Sequence, residues 1–140
     1  MIIADTNVVS ELMLPLPSQR VRTWINEQRQ NDEVWLTAVN AAEIMYGIEL
    51  LPKGKRRDDL LLAAEAMLAT EFVDRVLSFD ESAARAFAEI AAARRLMGRP
   101  ISEFDAQIAS IARANDAALA TRNTADFEGC GIRLVNPWVD

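Results

Sequence analysis

Histidine is absent from this chain of 140 residues, and cysteine occurs once, at Cys130. Without imidazole there is no Ser-His-Asp or Cys-His catalysis, and no zinc site that uses histidine. Acid–base work then falls to carboxylates, lysine, tyrosine or metal-bound water. A lone cysteine makes no internal disulfide, which suits a reducing compartment and sets the expectation of a cytoplasmic protein. No apolar run reaches the roughly 18 residues that a membrane span needs. The opening Met1-Ile2-Ile3-Ala4-Asp5 has no basic segment and meets an acid at once, so it does not read as a signal peptide. There is no glycine-rich phosphate loop. Nor is there a linker, repeat or low-complexity stretch, so residues 1–140 read as a single domain.

What the chain does have is apolar material and acid. It is 51% hydrophobic with a mean hydropathy of +0.01, enough for a substantial core and contrary to intrinsic disorder. Acids outnumber bases 21 to 15, for a net charge of −6 and a pI near 4.7. Alone, that balance opposes nucleic-acid binding, because polyanions attract basic surfaces. It is less contrary if several acids share a divalent cation, which offsets charge that the formal count assigns to the protein.

Hydrophobic patterning alternates short β-competent runs with amphipathic segments. Met1–Ala4 reads as a strand that stops at the turn- and cap-forming Asp5-Thr6-Asn7. A brief helix over 8–14 ends at Pro15 and Pro17. Ser18 caps a helix to about Gln30, with Val21, Trp24 and Ile25 on one face. Val34-Trp35-Leu36 is a buried strand, after which Thr37 caps a helix to about Leu51. A basic turn, Lys53–Arg57, leads into an Ala/Leu-rich helix over 58–69. Residues 75–79 form a third strand candidate. Asp80 caps a helix to Leu96, which Gly98 closes. Ser102 caps another helix to about Asn115. Residues 117–121 and 132–135 supply a fourth and a fifth strand. This alternation implies a mainly parallel sheet of about five strands with helices on both faces, a three-layer α/β/α architecture.

Ligand sites in open α/β sheets form at the carboxyl ends of strands. That rule filters the 21 acids to a few. Asp5 follows the first strand, and the loop after the fourth carries Asn123 and Asp126. Glu43 sits among small and apolar neighbours on the helix after the second strand. Asp105 lies in the first turn of its helix, where the helix dipole favours a carboxylate. Each has a plainer reading. Asp5 and Asp126 serve as turn or cap residues, Glu43 as the rim of an amphipathic helix, and Asp105 as half of a capping box with Ser102. In combination, clustered carboxylates without histidine suit a hard, oxygen-seeking cation such as Mg²⁺ or Mn²⁺. Such a site can orient a scissile phosphate and activate water.

Asp5-Thr6-Asn7, Ala42-Glu43-Ile44 followed by Gly47, Asp105-Ala106-Gln107-Ile108-Ala109, and Ala120-Thr121-Arg122-Asn123-Thr124-Ala125-Asp126-Phe127 occur in that order. With Asn136-Pro137-Trp138 they resemble, over essentially the whole chain, the PIN domains of VapC-like toxins in their FitB-like branch. The resemblance implies a PIN fold and a Mg²⁺- or Mn²⁺-dependent endoribonuclease. It also implies the toxin half of a type II toxin–antitoxin pair, usually homodimeric. A cognate antitoxin blocks the active-site groove and can join it in a higher assembly. By position, Asp5 and Asp105 are the expected metal ligands, and Glu43 completes the cluster or positions the attacking water. Many relatives have an acid where this chain has Asn123. The fourth position is therefore open between Asn123 and Asp126, and Thr6 and Asn7 are expected to support the site.

Two rivals remain. One is another Mg²⁺-dependent α/β phosphohydrolase or receiver-like domain. Haloacid-dehalogenase phosphatases want a second aspartate where Asn7 stands, and receiver-like domains want an acidic pair before the first strand's aspartate. The other rival is a catalytically weak binding module on the same fold. The remaining arginines, Lys53–Arg57 together with Arg94, Arg95 and Arg99, read first as solvated charge. Arg122 sits inside the fourth motif and is the basic residue best placed to face the site. Trp24 and Trp35 read as core, and Cys130 as incidental. The Leu50–Leu68 region suits core, dimer face or antitoxin surface equally.

Overall fold

The computed structural model describes residues 1–31 and 33–140. The first strand, β1 (Ile2–Ala4), runs through the middle of a five-stranded sheet. It is followed by α1 (Thr6–Leu12), α2 (Gln19–Gln30), β2 (Val34–Thr37), α3 (Ala38–Glu49), α4 (Lys55–Thr70) and β3 (Val76–Leu77). The second half adds α5 (Glu81–Leu96), α6 (Glu103–Ala114), β4 (Ala118–Ala120), a short 3₁₀ turn (Thr124–Phe127) and β5 (Leu134–Val135). The strand order is β3-β2-β1-β4-β5, and every pairing is parallel.

Short strands with both faces buried account for this arrangement. Side chains alternate across a strand, so Ile2 and Ala4 face one layer and Ile3 the other. Ala118 and Ala120 likewise oppose Leu119. On one face Val8, Val21, Ile25, Ile44, Ile48 and Met67, from α1 to α4, pack over the sheet. On the other, Ala83, Ile90, Ile108 and Ile111, from α5 and α6, form a second core. This is the expected α/β/α sandwich, with the three inner strands β2, β1 and β4 buried almost throughout.

Local caps sit largely where the sequence placed them. Ser18, Thr37, Asp80 and Ser102 each accept a backbone N–H at the start of their helix. Gly98 follows α5 with φ +73, a left-handed conformation that costs glycine little. Several boundaries differ, and the first helix spans 6–12 rather than 8–14. The helix α4 starts at Lys55, inside the predicted basic turn. A cation-rich first turn opposes the helix dipole, but Lys55 pairs with Asp59 at 2.7 Å and Arg57 with Glu49, which offsets the conflict. The outer strands β3 and β5 are only two residues each, shorter than the apolar runs suggested. Each has one strand neighbour, so pairing ends where the sheet edge does.

From β1 the chain winds outward through β2 to β3, then returns to build β4 and β5 on the other side. The order therefore reverses between β1 and β4. A crevice opens at such a switch point, at the carboxyl ends of the two strands.

Candidate functional site

Asp5 stands at that crevice, one residue past β1, and is only 6% exposed. It caps the helix that follows, as its plainer reading expected. As N-cap of α1 its Oδ1 accepts the Thr6 N–H at 2.9 Å. At the same time its carboxylate is enclosed by neighbours from across the sheet. Thr121 Oγ1 donates to Oδ2 at 2.8 Å, and the Asn7 and Asn40 side-chain amides donate to Oδ2 and Oδ1, each at 3.3 Å.

Neither Asn40 nor Thr121 was singled out by the motif reading, yet both are fully buried beside Asp5. Asn40 lies one helical turn before Glu43 on α3, a spacing that puts the two on one face. Its Oδ1 accepts from both Thr37 N–H and Thr37 Oγ1, completing a capping box. Thr121 owes its place to strand register. Ala4 pairs with Ala120, so the next residue on each strand, Asp5 and Thr121, must emerge side by side.

Thr6 links Asp5's neighbourhood to Glu43, donating from Oγ1 to Glu43 Oε1 at 2.9 Å. Asn7 Oδ1 accepts the Arg122 N–H at 3.1 Å and so ties the β4 loop back to α1. Asp105 is half-buried at the start of α6, where Ser102 Oγ accepts its N–H at 3.2 Å. Asp126 lies in the 3₁₀ turn, with its side chain open to solvent. Asn123 is exposed too. Its N–H reaches Thr121 Oγ1 at 3.1 Å, but its side chain makes no hydrogen bond to the acids among the described residues.

Electrostatics binds these acids into one group. Burial raises the Asp5 carboxyl above the ordinary aspartate value, against the opposing hydrogen bonds of Thr121, Thr6 and Asn40, and Asp126 adds to the rise. Burial likewise raises Glu43, opposed by the Thr6 hydrogen bond and reinforced by the charges of Asp5 and Asp105. Asp105 is raised by burial, then by Asp5 and, to a lesser degree, Asp126. Like-charge repulsion thus links Asp5 and Asp105 to each other and each of them to Glu43 and Asp126. Among the described residues, no three Asp, Glu or Cys side chains close around a common point. The donor set is nonetheless all oxygen and strongly anionic, the chemistry that suits Mg²⁺, a cation that keeps several waters rather than a full protein cage.

A groove of about 390 Å³ runs away from Thr6 and Glu43 between α1, α3 and α4, lined mainly by apolar side chains such as Met13, Ile44, Ile48 and Leu60, with Arg56 among them. The region from Leu50 to Leu68 therefore divides. Leu60, Ala64 and Met67 pack inward, whereas Leu50 and Leu62 are well exposed. Trp24 and Trp35 pack partly buried against the two cores, as expected, and the Arg122 guanidinium lies over the Trp138 ring at 4.6 Å. The reading of Arg94 as solvated is overturned. It is 4% exposed, because its guanidinium turns inward to backbone carbonyls.

A parallel α/β/α sandwich whose acids meet at the β1–β4 switch point, with no histidine, defines a class of acidic-centre α/β domain. The chain matches the PIN domain family over residues 2–129, and it belongs to that family. It is 42% identical over 138 residues to "Plasmid stability protein StbB" of Pseudomonas syringae pv. tomato, covering 99% of each chain. It is 37% identical to "VapC ribonuclease Y4jK" of Sinorhizobium fredii, covering 99% of this chain and 98% of the relative. Among solved structures, the crystal structure of FitAcB from Neisseria gonorrhoeae superposes with a TM-score of 0.91 at 34% identity, with 100% of both chains covered. The family and the fold that the motifs implied are both those found. No helix among the described residues is long and apolar enough to cross a membrane.

Proposed function

We propose that this protein is a Mg²⁺-dependent endoribonuclease and the toxin half of a type II toxin–antitoxin pair. One observation carries the reading. Thr6 and Thr121 tie Asp5 to Glu43 and to the end of β4 at the β1–β4 crevice, Asp105 and Asp126 line one shared pocket, and like charge links the two pairs. Carboxylates so arranged store unfavourable charge that a divalent cation relieves. The likeness to a VapC ribonuclease supports RNA as substrate, and 36% identity to "Toxin FitB" of Neisseria gonorrhoeae supports the toxin assignment.

Asp5 and Asp105 would hold the cation, with Mn²⁺ able to substitute for Mg²⁺. Both oxygens of Asp5 already accept two hydrogen bonds each. The two amide contacts are the longest of the four, at 3.3 Å, and are the ones ligation would displace. Thr121 and the Thr6 N–H would keep the carboxylate oriented. When bound, the cation supplies positive charge to the scissile phosphate and lowers the pKa of water. Glu43, pinned through Oε1 by Thr6 and with a raised proton affinity, is suited to take a proton from the attacking water. Asp126 is the better fourth acid, because its charge acts on both Asp5 and Asp105. The expected products carry 5′-phosphate and 3′-hydroxyl ends. The same reading makes the protein a cytoplasmic homodimer that its antitoxin silences, and light scattering of the purified protein tests the dimer.

A PIN-fold binding module without turnover is a second reading, favoured by the neutral, exposed Asn123. Cleavage-site mapping on total cellular RNA separates the two. Wild type should cut with Mg²⁺ and stop with EDTA, and Asp5→Asn and Asp105→Asn should not cut. Cleavage without metal, or 2′,3′-cyclic phosphate ends, defeats the proposal. Mn²⁺ binding without cleavage favours the module.

A further inference from the structure

We propose that Arg94 is a positioning residue for this site, clamping the turn that carries Asp126 onto the loop that leads to Asp105. The inference rests on the metal-dependent reading above and assigns a role to a residue outside the acidic motifs.

Arg94 is in the last turn of α5 and nearly all buried. Its Nε donates to the Arg99 carbonyl at 2.8 Å. Its Nη1 donates to the carbonyls of Asp126 at 2.7 Å and Glu128 at 3.1 Å, and lies 3.7 Å from Cys130 Sγ. One guanidinium therefore joins the α5–α6 loop to the segment after β4. Among the described residues it has no carboxylate at ion-pair distance. Burying a cation without an anion is costly, and a neutral donor could brace a turn. A charge is useful here because a pocket of about 260 Å³ is lined jointly by Arg94, Ser102, Asp105 and Asp126. Bonding to carbonyls also fixes the Asp126 backbone while leaving its carboxylate unneutralised, as a cation ligand must be.

Two further contacts grip the same turn. Arg99 Nη2 donates to the Ala125 carbonyl and Nη1 to Glu128 Oε2, both at 3.1 Å. Gly129, with φ +78, passes so close to α5 that a Cβ would stand 3.2 Å from Met97 Cε and 3.7 Å from Arg94 Cδ. The turn is thus held from the inside by Arg94, from the outside by Arg99, and by close backbone approach.

The test measures Mn²⁺ affinity by electron paramagnetic resonance for Arg94→Lys, alone and with Asp126→Asn, and amide hydrogen exchange in metal-free protein. Arg94→Lys should weaken Mn²⁺ binding about 10- to 100-fold, the usual cost of losing support behind a ligand. In the Asp126→Asn background it should cost less than about twofold, because the two act as a unit. Exchange should accelerate over residues 124–130 and not in α6. An equal loss in both backgrounds, no loss at all, or exchange spread through the domain overturns the proposal. Should Arg94→Lys fail to fold, the exposed Arg99→Ala must show the same dependence on Asp126, and its absence is equally fatal. Wild-type Mn²⁺ binding unaffected by Asp5→Asn would instead sink the metal reading, and the metal-free exchange would still judge the clamp.

Discussion

Thr121 donates its hydroxyl hydrogen to Asp5 Oδ2 at 2.8 Å across 116 residues of chain, joining the ends of the two central strands. The same hydroxyl oxygen accepts from the Asn7 amide at 3.2 Å and from the Asn123 N–H at 3.1 Å. One buried side chain therefore orients the main acid and ties down both loops flanking the crevice.

Thr121→Val keeps the shape and removes this hub. It takes a hydroxyl donor from the buried Asp5 carboxylate, at a cost of about 1–3 kcal/mol. Thermal denaturation should show the loss, and RNA cleavage at saturating Mg²⁺ should drop by at least about tenfold. Unchanged cleavage would mean that Thr121 does not orient Asp5.

Asn40→Ala removes one half of the capping box of α3 and the one side-chain amide that reaches both Asp5 and Thr6. Losing the cap contribution alone costs about 0.5–2 kcal/mol. Because Asn40 is fully buried, the total should exceed that of an exposed cap such as Ser102→Ala. Urea titrations of the two variants make the comparison, and equal costs would refute a role for Asn40 beyond capping.

Asp5, Glu43 and Asp105 all have proton affinities raised by the fold. The native state therefore holds protons that the unfolded chain has already released. Stability must fall as pH rises from the ordinary carboxylate range through the raised values. In EDTA, the melting temperature should decline with rising pH, and Asp105→Asn should flatten that slope and melt higher near neutrality. Mg²⁺ should restore wild type and leave Asp105→Asn little changed. A wild-type slope steeper in Asp105→Asn, or absent in both, contradicts this account.

Ile3 is completely buried in β1, two residues before Asp5. Ile3→Ala should cost about 2–5 kcal/mol through lost burial and the cavity left behind. Catalysis should suffer too, even far below the melting temperature, since the strand sets the height of Asp5. Urea denaturation with cleavage assays at low temperature checks both effects.

Short apolar runs and helix caps were legible because they are local. Ile2, Ile3 and Ala4 announce a strand, and Ser18, Thr37, Asp80 and Ser102 announce helix starts, each through bonds within a few residues. Asp5, Glu43 and Asp105 were legible as acids placed after strands in an ordered motif set. Arg94 was not. Arginine on a helix is ordinarily solvated, and its burial depends on carbonyls 32 and 34 residues away. Asn40 and Thr121 were hidden for the same reason, since their importance lies in what the neighbouring strand or helix presents to them.

The sequence by itself determined most of the elements, because turn chemistry and short apolar runs act without reference to distant parts of the chain, and an ordered set of motifs carried the resemblance that named the family and its acids. Only the tertiary structure decided which groups serve those acids. Parallel pairing of β1 with β4 in one register puts Thr121 beside Asp5. Folding the segment after β4 against α5 puts the Asp126 backbone on Arg94. Both are hydrogen bonds between residues far apart in sequence, formed only when the sheet and its two helical layers close together.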